Sequence, residues 1–93
     1  MFKTNDYWEE EFIEYNDKNL DSIYFDDCTF VKCDFSKSIM HSCKFTECKF
    51  INCDLSLSLF KSCTFNDVVF ENIDVFELVN KYLNGSLNSG GNL

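Results

Sequence analysis

Large apolar residues recur at every fifth position through most of the chain. From Leu20 to Val75 the pattern has no exception. Its members are Leu20, Phe25, Phe30, Phe35, Met40, Phe45, Phe50, Leu55, Phe60, Phe65, Phe70 and Val75. A period of five fits neither the repeat of a helix, about 3.6 residues, nor the alternation of a simple strand. The pattern therefore predicts a coil whose sides are each five residues long.

A second set of mostly small residues lies two positions before the first. It comprises Lys18, Ile23, Cys28, Cys33, Ser38, Cys43, Cys48, Cys53, Ser58, Cys63, Val68 and Ile73. All six Cys of the chain fall in this single phase. A disulfide framework or a metal site has no reason to follow one phase, whereas small buried side chains do. We therefore expect six reduced thiols packed in the interior.

The repeat divides the chain into three segments. Residues 1–17 are an acidic N-terminal cap, residues 18–75 carry the repeat, and residues 76–93 form a C-terminal helix and a flexible tail. The helix is predicted because four apolar residues after the repeat share one helical face. These residues are Phe76, Val79, Tyr82 and Leu83.

The N-terminal cap permits two interpretations. Asp6 and Glu9 have the spacing of a helix capping box, which favours a short helix. Its apolar residues would be Trp8, Phe12 and Ile13. In the alternative, Ile13 and Tyr15 lie two positions apart and begin the coil early. We favour the helical cap.

Composition restricts the partners and the compartment. The net charge is −8 and the chain contains no Arg, so a nucleic-acid backbone is not expected to bind directly. The first residues do not resemble a signal peptide, and no stretch approaches the roughly 20 apolar residues of a membrane span. These features predict a cytoplasmic protein that does not contact membranes.

Six segments of the repeat resemble units of the pentapeptide-repeat family, in which a small residue, a polar residue and Leu or Phe precede two variable positions. They are Cys28-Thr29-Phe30, Cys33-Asp34-Phe35, Cys43-Lys44-Phe45, Cys48-Lys49-Phe50, Cys53-Asp54-Leu55 and Cys63-Thr64-Phe65. The resemblance implies an all-β fold, a right-handed quadrilateral parallel β-helix (a β-solenoid) of about three coils, with four repeats in each coil. Family members usually have Ala at the small position, and this chain has no Ala.

A coil of 20 residues sorts the inward side chains into columns. Phe25, Phe45 and Phe65 would form one column, and Phe30, Phe50 and Phe70 another. Rings in a column must stack with an offset, because rungs lie about 4.8 Å apart. The most polar inner column would be Lys18, Ser38 and Ser58, with hydroxyls bonded to the backbone.

No pattern of residues points to catalysis or to a cofactor. His41 is the only His and falls at an outward position, where only Ser42 is expected beside it. The sequence has no phosphate-binding glycine loop, paired-carboxylate motif or nucleophile elbow. We therefore expect a surface histidine, no enzymatic activity, no cofactor and no metal.

Outward apolar residues are the candidate interface. Ile39 and Leu59 are expected to stack on one wall with Leu57 at its edge, and Val31 and Ile51 on another wall near Val69. The full set adds the C-terminal helix and comprises Val31, Ile39, Ile51, Leu57, Leu59, Val69, Phe76, Val79, Tyr82 and Leu83. Exposed apolar columns favour a contact surface. In the alternative, terminal segments cover them or they are tolerated singly.

Three functions are compatible with these features. The first is a non-enzymatic protein-interaction scaffold, forming a homodimer through the apolar columns or through the C-terminal end, where family members often dimerise. The second is a DNA mimic that protects bacterial DNA gyrase, a type II topoisomerase, from quinolones, because some family members do so. Residues 28–75 carry a net charge of only −1, which argues against mimicry. The third is thiol redox or metal binding.

Overall fold

The structure, a computed structural model, describes residues 2–73 and contains only strands, turns and bridges within that range. The predicted C-terminal helix and tail lie outside it. The strands are β1 (Asp6–Trp8), β2 (Glu11–Ile13), β3 (Asn19–Asp21), β4 (Tyr24–Asp26), β5 (Thr29–Val31), β6 (Ile39–His41), β7 (Lys44–Thr46), β8 (Lys49–Ile51), β9 (Leu59–Lys61), β10 (Thr64–Asn66) and β11 (Val69–Glu71).

Each strand pairs in parallel with the strand one coil away. The sheets have the orders β1-β4-β7-β10, β2-β5-β8-β11 and β3-β6-β9. A fourth side is held by isolated parallel bridges from Asn16 to Asp34 and from Asp34 to Asp54. Four sides around one axis form the predicted β-solenoid. Each strand has three residues, with the middle one directed inward and its neighbours outward.

The N-terminal segment also belongs to the solenoid, so the prediction of a helix there is wrong. Residues 6–8 and 11–13 are the strands β1 and β2. Tyr7 pairs with Phe25 and Phe12 with Phe30, a separation of 18 residues rather than 20. The separation of 20 begins with Leu20 and Met40. Two residues are therefore missing from the corner before Leu20, which shifts the phase and hides the early coil.

The core is a set of stacked aromatic columns. Phe25, Phe45 and Phe65 stack at centroid distances of 5.1 and 5.0 Å with interplanar angles of 10° and 9°. Phe25 meets Phe30 of the next column edge to face, at 5.1 Å and 78°. Both arrangements suit the quadrupole of the ring. The predicted columns are confirmed within the described residues.

The polar inner column departs from its prediction. Ser58 donates its hydroxyl to the Leu55 carbonyl at 2.6 Å, as expected. The equally buried Ser38 hydroxyl has no partner within residues 2–73. Lys18 does not enter the interior, because a buried ammonium group is costly without a counter-charge. Its Nζ lies outside, 3.3 Å from Asp34 Oδ1 and 2.7 Å from the Ser36 carbonyl.

Nearly every corner contains one residue with a left-handed backbone. The φ angles of these residues lie between 53° and 58°, and within residues 2–73 they include no Gly. Lys37 and Leu57 occupy the third position of turns closed by bonds from Ser38 N to Phe35 O and from Ser58 N to Leu55 O. Turns of this kind usually have Gly or Asn at that position. The strain is tolerated because the stacked coils fix the path of the backbone.

Candidate interaction surfaces

One outer face carries an uninterrupted apolar column. Ile13, Val31 and Ile51 point outward from β2, β5 and β8 and lie in register on successive rungs. Ile13 is 52% exposed, and the other two are half-buried. The sequence predicted the contact of Val31 with Ile51 but missed Ile13 as part of this column. We call these three residues the apolar column.

A second column of the same face is mixed in polarity. Glu11, Thr29, Lys49 and Val69 occupy its four rungs in chain order. Glu11 and Lys49 are exposed, and neither forms an ion pair within residues 2–73. Val69 therefore lies on the face predicted for it, beside the apolar column rather than in it. The apolar column ends at Glu71, which pairs with Ile51.

The face formed by β3, β6 and β9 brings Ile39 and Leu59 together, as the sequence predicted. They are paired in register, and Ile39 is 40% exposed. Leu57 lies at the neighbouring corner and is 71% exposed. Only two apolar rungs are present here, because Asn19 occupies the third. This face is therefore less apolar than the face that carries Val31.

His41 lies on that same face between two polar neighbours. Its Nδ1 is 3.3 Å from Asp21 Oδ1 and 3.1 Å from Ser42 Oγ. The sequence anticipated Ser42 but missed Asp21, which lies directly opposite His41 one coil away. A hydrolytic relay needs the acid and the nucleophile on different ring nitrogens. Both neighbours here contact Nδ1, so this group is not arranged as a catalytic triad.

The face formed by β1, β4, β7 and β10 contains an aromatic groove that the sequence did not reveal. Trp8 is 65% exposed and Tyr24 is 53% exposed. With Asp6, Asp26 and Lys44 they line a shallow groove of about 360 Å³. Because Trp8 was assigned to a helix, its place beside Tyr24 could not be predicted.

One corner presents a row of carboxylates, here called the acidic corner. Backbone hydrogen bonds place Glu9, Asp27, Glu47 and Asp67 on successive rungs, and all four are exposed. Neighbouring members are one rung apart, about 4.8 Å. The net charge of a segment does not reveal such a row, since the lysines that balance it lie on other faces.

The six thiols line the interior, and all are free. Five are buried as predicted, and Cys63 is half-buried. Burial raises the pKa of Cys28, and it raises that of Cys48 to about 12. A hydrogen bond with Cys43 lowers the pKa of Cys63 to about 7.

The remaining thiols follow the same logic. Hydrogen bonding to Cys63 and burial raise the pKa of Cys43, and Cys53 is raised in the same way by its bond with Cys33. That bond lowers the pKa of Cys33 to about 7. Several sulfurs also donate to the backbone, as Cys63 Sγ does to the Met40 carbonyl at 3.2 Å.

Four predicted interface residues cannot be placed. Phe76, Val79, Tyr82 and Leu83 lie outside the described residues. Within residues 2–73 no three His, Cys, Asp or Glu side chains are grouped as metal ligands. The same residues contain no helix long and apolar enough to cross a membrane.

These features define a class of protein, the β-solenoid scaffolds, in which stacked repeats expose flat rigid faces. The family model described as pentapeptide repeats (8 copies) matches residues 19–56 and 38–74. Because the matches together span more than half of the chain, it belongs to the pentapeptide-repeat family. Comparison with curated proteins gives no match.

Proposed function

We propose that the chain is a non-enzymatic scaffold that binds protein through its flat outer faces, and that one partner is a second copy of itself. The apolar column of Ile13, Val31 and Ile51 carries this proposal. Outward positions on a solenoid wall do not contribute to the core, so polar residues would serve the fold equally well. Three apolar residues in register on such a wall are typical of a contact surface.

Sedimentation velocity of the full chain tests this self-association. Between about 10 µM and 1 mM, we expect the average mass to rise from monomer towards dimer, because the equilibrium depends on concentration. Threonine at Ile13, Val31 and Ile51 should keep the chain monomeric. The change preserves β-branching and removes apolar surface only on this face.

The matched control places threonine at Ile39 and Leu59 on another face. This variant should associate like the wild type. A wild-type chain that remains monomeric at about 1 mM would overturn self-association, and with it the proposed partner.

A second candidate function is mimicry of a nucleic acid by the acidic corner. The observation that favours it is the row formed by Glu9, Asp27, Glu47 and Asp67 on four successive rungs. Along one strand of duplex DNA, charges are about 3.4 Å apart, and the rungs are about 4.8 Å apart. A protein groove that accepts a phosphate backbone could accept this row.

Supercoiling by a bacterial DNA gyrase, with and without a quinolone, tests the second candidate. We expect inhibition or protection at about 10 µM protein, a level typical of non-specific contacts. A variant with all four carboxylates of the acidic corner changed to amides should lose the effect. The control neutralises four other carboxylates, those of Asp6, Glu10, Glu14 and Asp17. No effect of the wild type on either reaction would exclude mimicry of this kind.

A further inference from the structure

We propose that the second copy binds the face carrying the apolar column in an antiparallel orientation, with a two-fold axis along β5. This inference rests on the proposed function and specifies its geometry. In each copy, Glu11 then faces Lys49 of the partner subunit. Both interfaces of a two-fold dimer use the same surface, so the face must be complementary to itself.

The register of the strands makes the face complementary in this orientation. Glu11 and Ile13 lie one rung to one side of β5, and Lys49 and Ile51 lie one rung to the other side. Rotation about β5 exchanges these two rungs. Ile13 therefore meets Ile51 of the partner subunit, and Val31 meets its own copy at the axis.

Other antiparallel registers are less favourable. An axis along β8 would place Lys49 against Lys49 of the partner subunit and Val31 against Glu71 of the partner subunit. An axis midway between β5 and β8 would place Glu71 against the partner's Ile13. Like charges in contact and an unpaired carboxylate on an apolar surface both oppose binding. Only the axis along β5 leaves Glu71 beyond the contact.

A parallel orientation also fails the test of complementarity. An axis parallel to the solenoid exchanges the two columns of the face while it keeps the order of the rungs. Glu11 would then face Ile13 of the partner subunit, and Lys49 would face Ile51 of the partner subunit. Each charge would lose water without gaining a counter-charge.

The size of the face predicts a weak dimer. Three rungs cover about 10 Å from the first to the third, and a three-residue strand has about the same length. Such a contact is far smaller than the roughly 800 Å² that each partner buries in a standard complex. We therefore expect a dissociation constant on the order of 100 µM or weaker, in which a pair of facing charges has a measurable share.

Charge reversal at the two facing residues tests the orientation. Glu11→Lys and Lys49→Glu should each weaken association about tenfold, because each places like charges together at two symmetric positions. The double variant restores opposite charges and should associate within about threefold of the wild type. Asp21→Lys is the matched control, since it makes the same charge change on another face and should have no comparable effect.

Each outcome has a separate meaning. Association that persists in both single variants would overturn the antiparallel orientation while leaving self-association intact. Loss of association in the double variant as well would also contradict it. A wild type that never associates would instead overturn the proposed function.

A cross-linking experiment supplies a second, independent measurement. In a Cys63→Ser background, Val31→Cys places two thiols at the two-fold axis, and a short bismaleimide should join two chains. Ile39→Cys in the same background should give little cross-linked product. Equal yields from the two positions would contradict an axis along β5, and circular dichroism would establish that both variants are folded.

Discussion

The rings of Phe30 and Phe50 stack with centroids 4.6 Å apart and planes 11° from parallel. They are 20 residues apart in sequence and pair directly in the β5–β8 register. Both are almost completely buried. This contact shows how the solenoid is stabilised, since each coil covers the aromatic side chains of the coil before it.

Truncation of Phe50 should destabilise the fold strongly. We expect Phe50→Ala to lower the free energy of unfolding by about 3–5 kcal/mol, because it removes a buried ring and leaves a cavity between coils. Urea denaturation followed by circular dichroism measures the change. The neighbouring outward substitution Lys49→Ala should change it by about 0.5 kcal/mol or less. Similar losses for both variants would contradict the assignment of inward and outward positions.

Replacement of Leu57 by Gly should raise stability modestly. Leu57 has a φ of 58° at an exposed corner, and this conformation costs a non-glycine residue about 1 kcal/mol or more. Gly removes that cost but increases the entropy of the unfolded chain, so we expect a net gain below about 1 kcal/mol. Thermal unfolding measures it. Leu59→Gly, in strand β9, should lower the melting temperature instead.

Acid should destabilise the corner that contains Asp34. Hydrogen bonds from the Ser36 hydroxyl and backbone, and then the Lys18 ammonium, lower the pKa of Asp34 from 3.8 to about 2. Its ionised form therefore favours the folded state. That contribution is complete above about pH 4 and is lost as the pH falls towards 2.

The measurement is the free energy of unfolding between pH 5 and pH 2, flagged here as a range of about three units. It should fall more steeply for the wild type than for Asp34→Asn. Asp67→Asn, at an exposed corner, serves as the comparison. Equal slopes for the wild type and Asp34→Asn would show that this carboxylate does not contribute.

Cys63 should be the reactive thiol of the described residues. It is half-buried, whereas the other five are buried, and its pKa is lowered to about 7 by the bond with Cys43. Alkylation by iodoacetamide should therefore modify Cys63 first, with a rate that rises through about pH 7. Mass spectrometry after brief labelling identifies the site. Cys43→Ala should move the midpoint to higher pH, and an unchanged midpoint would contradict the role of that bond.

The same experiment bears on thiol chemistry as a function. Accessible, reactive thiols are required for redox or metal exchange. If no thiol reacts before the chain unfolds, the six Cys are packing residues. Rapid reaction at Cys63 would make it the place to look for oxidation.

Much of the fold could be predicted from the sequence because inward positions follow a strict period. Phe25, Phe45 and Phe65 stack where the five-residue phase placed them. The prediction failed at Tyr7 and Phe12, where the corner before Leu20 is two residues short. A shift of phase breaks the pattern while the backbone continues its pairing, so the earlier strands resembled an amphipathic helix.

The candidate surfaces were less predictable for a related reason. Val31 with Ile51 and Ile39 with Leu59 were anticipated, since each pair is separated by one coil. Trp8 beside Tyr24, Ile13 below Val31, and Asp21 beside His41 were not. The first two depend on the shifted register. In the third, the partner is distant in sequence and lies at an outward position, which the core pattern does not constrain.

The sequence by itself determined the repeat, its phase and the side chains that fill the interior, because burial of Phe and Cys must recur with the geometry of the coil. Only the tertiary structure decided which outward residues become neighbours. Those contacts depend on the length of every corner, and a change of two residues moves charges and aromatic rings to new partners. The faces on which the proposed function rests therefore arise from register rather than from composition.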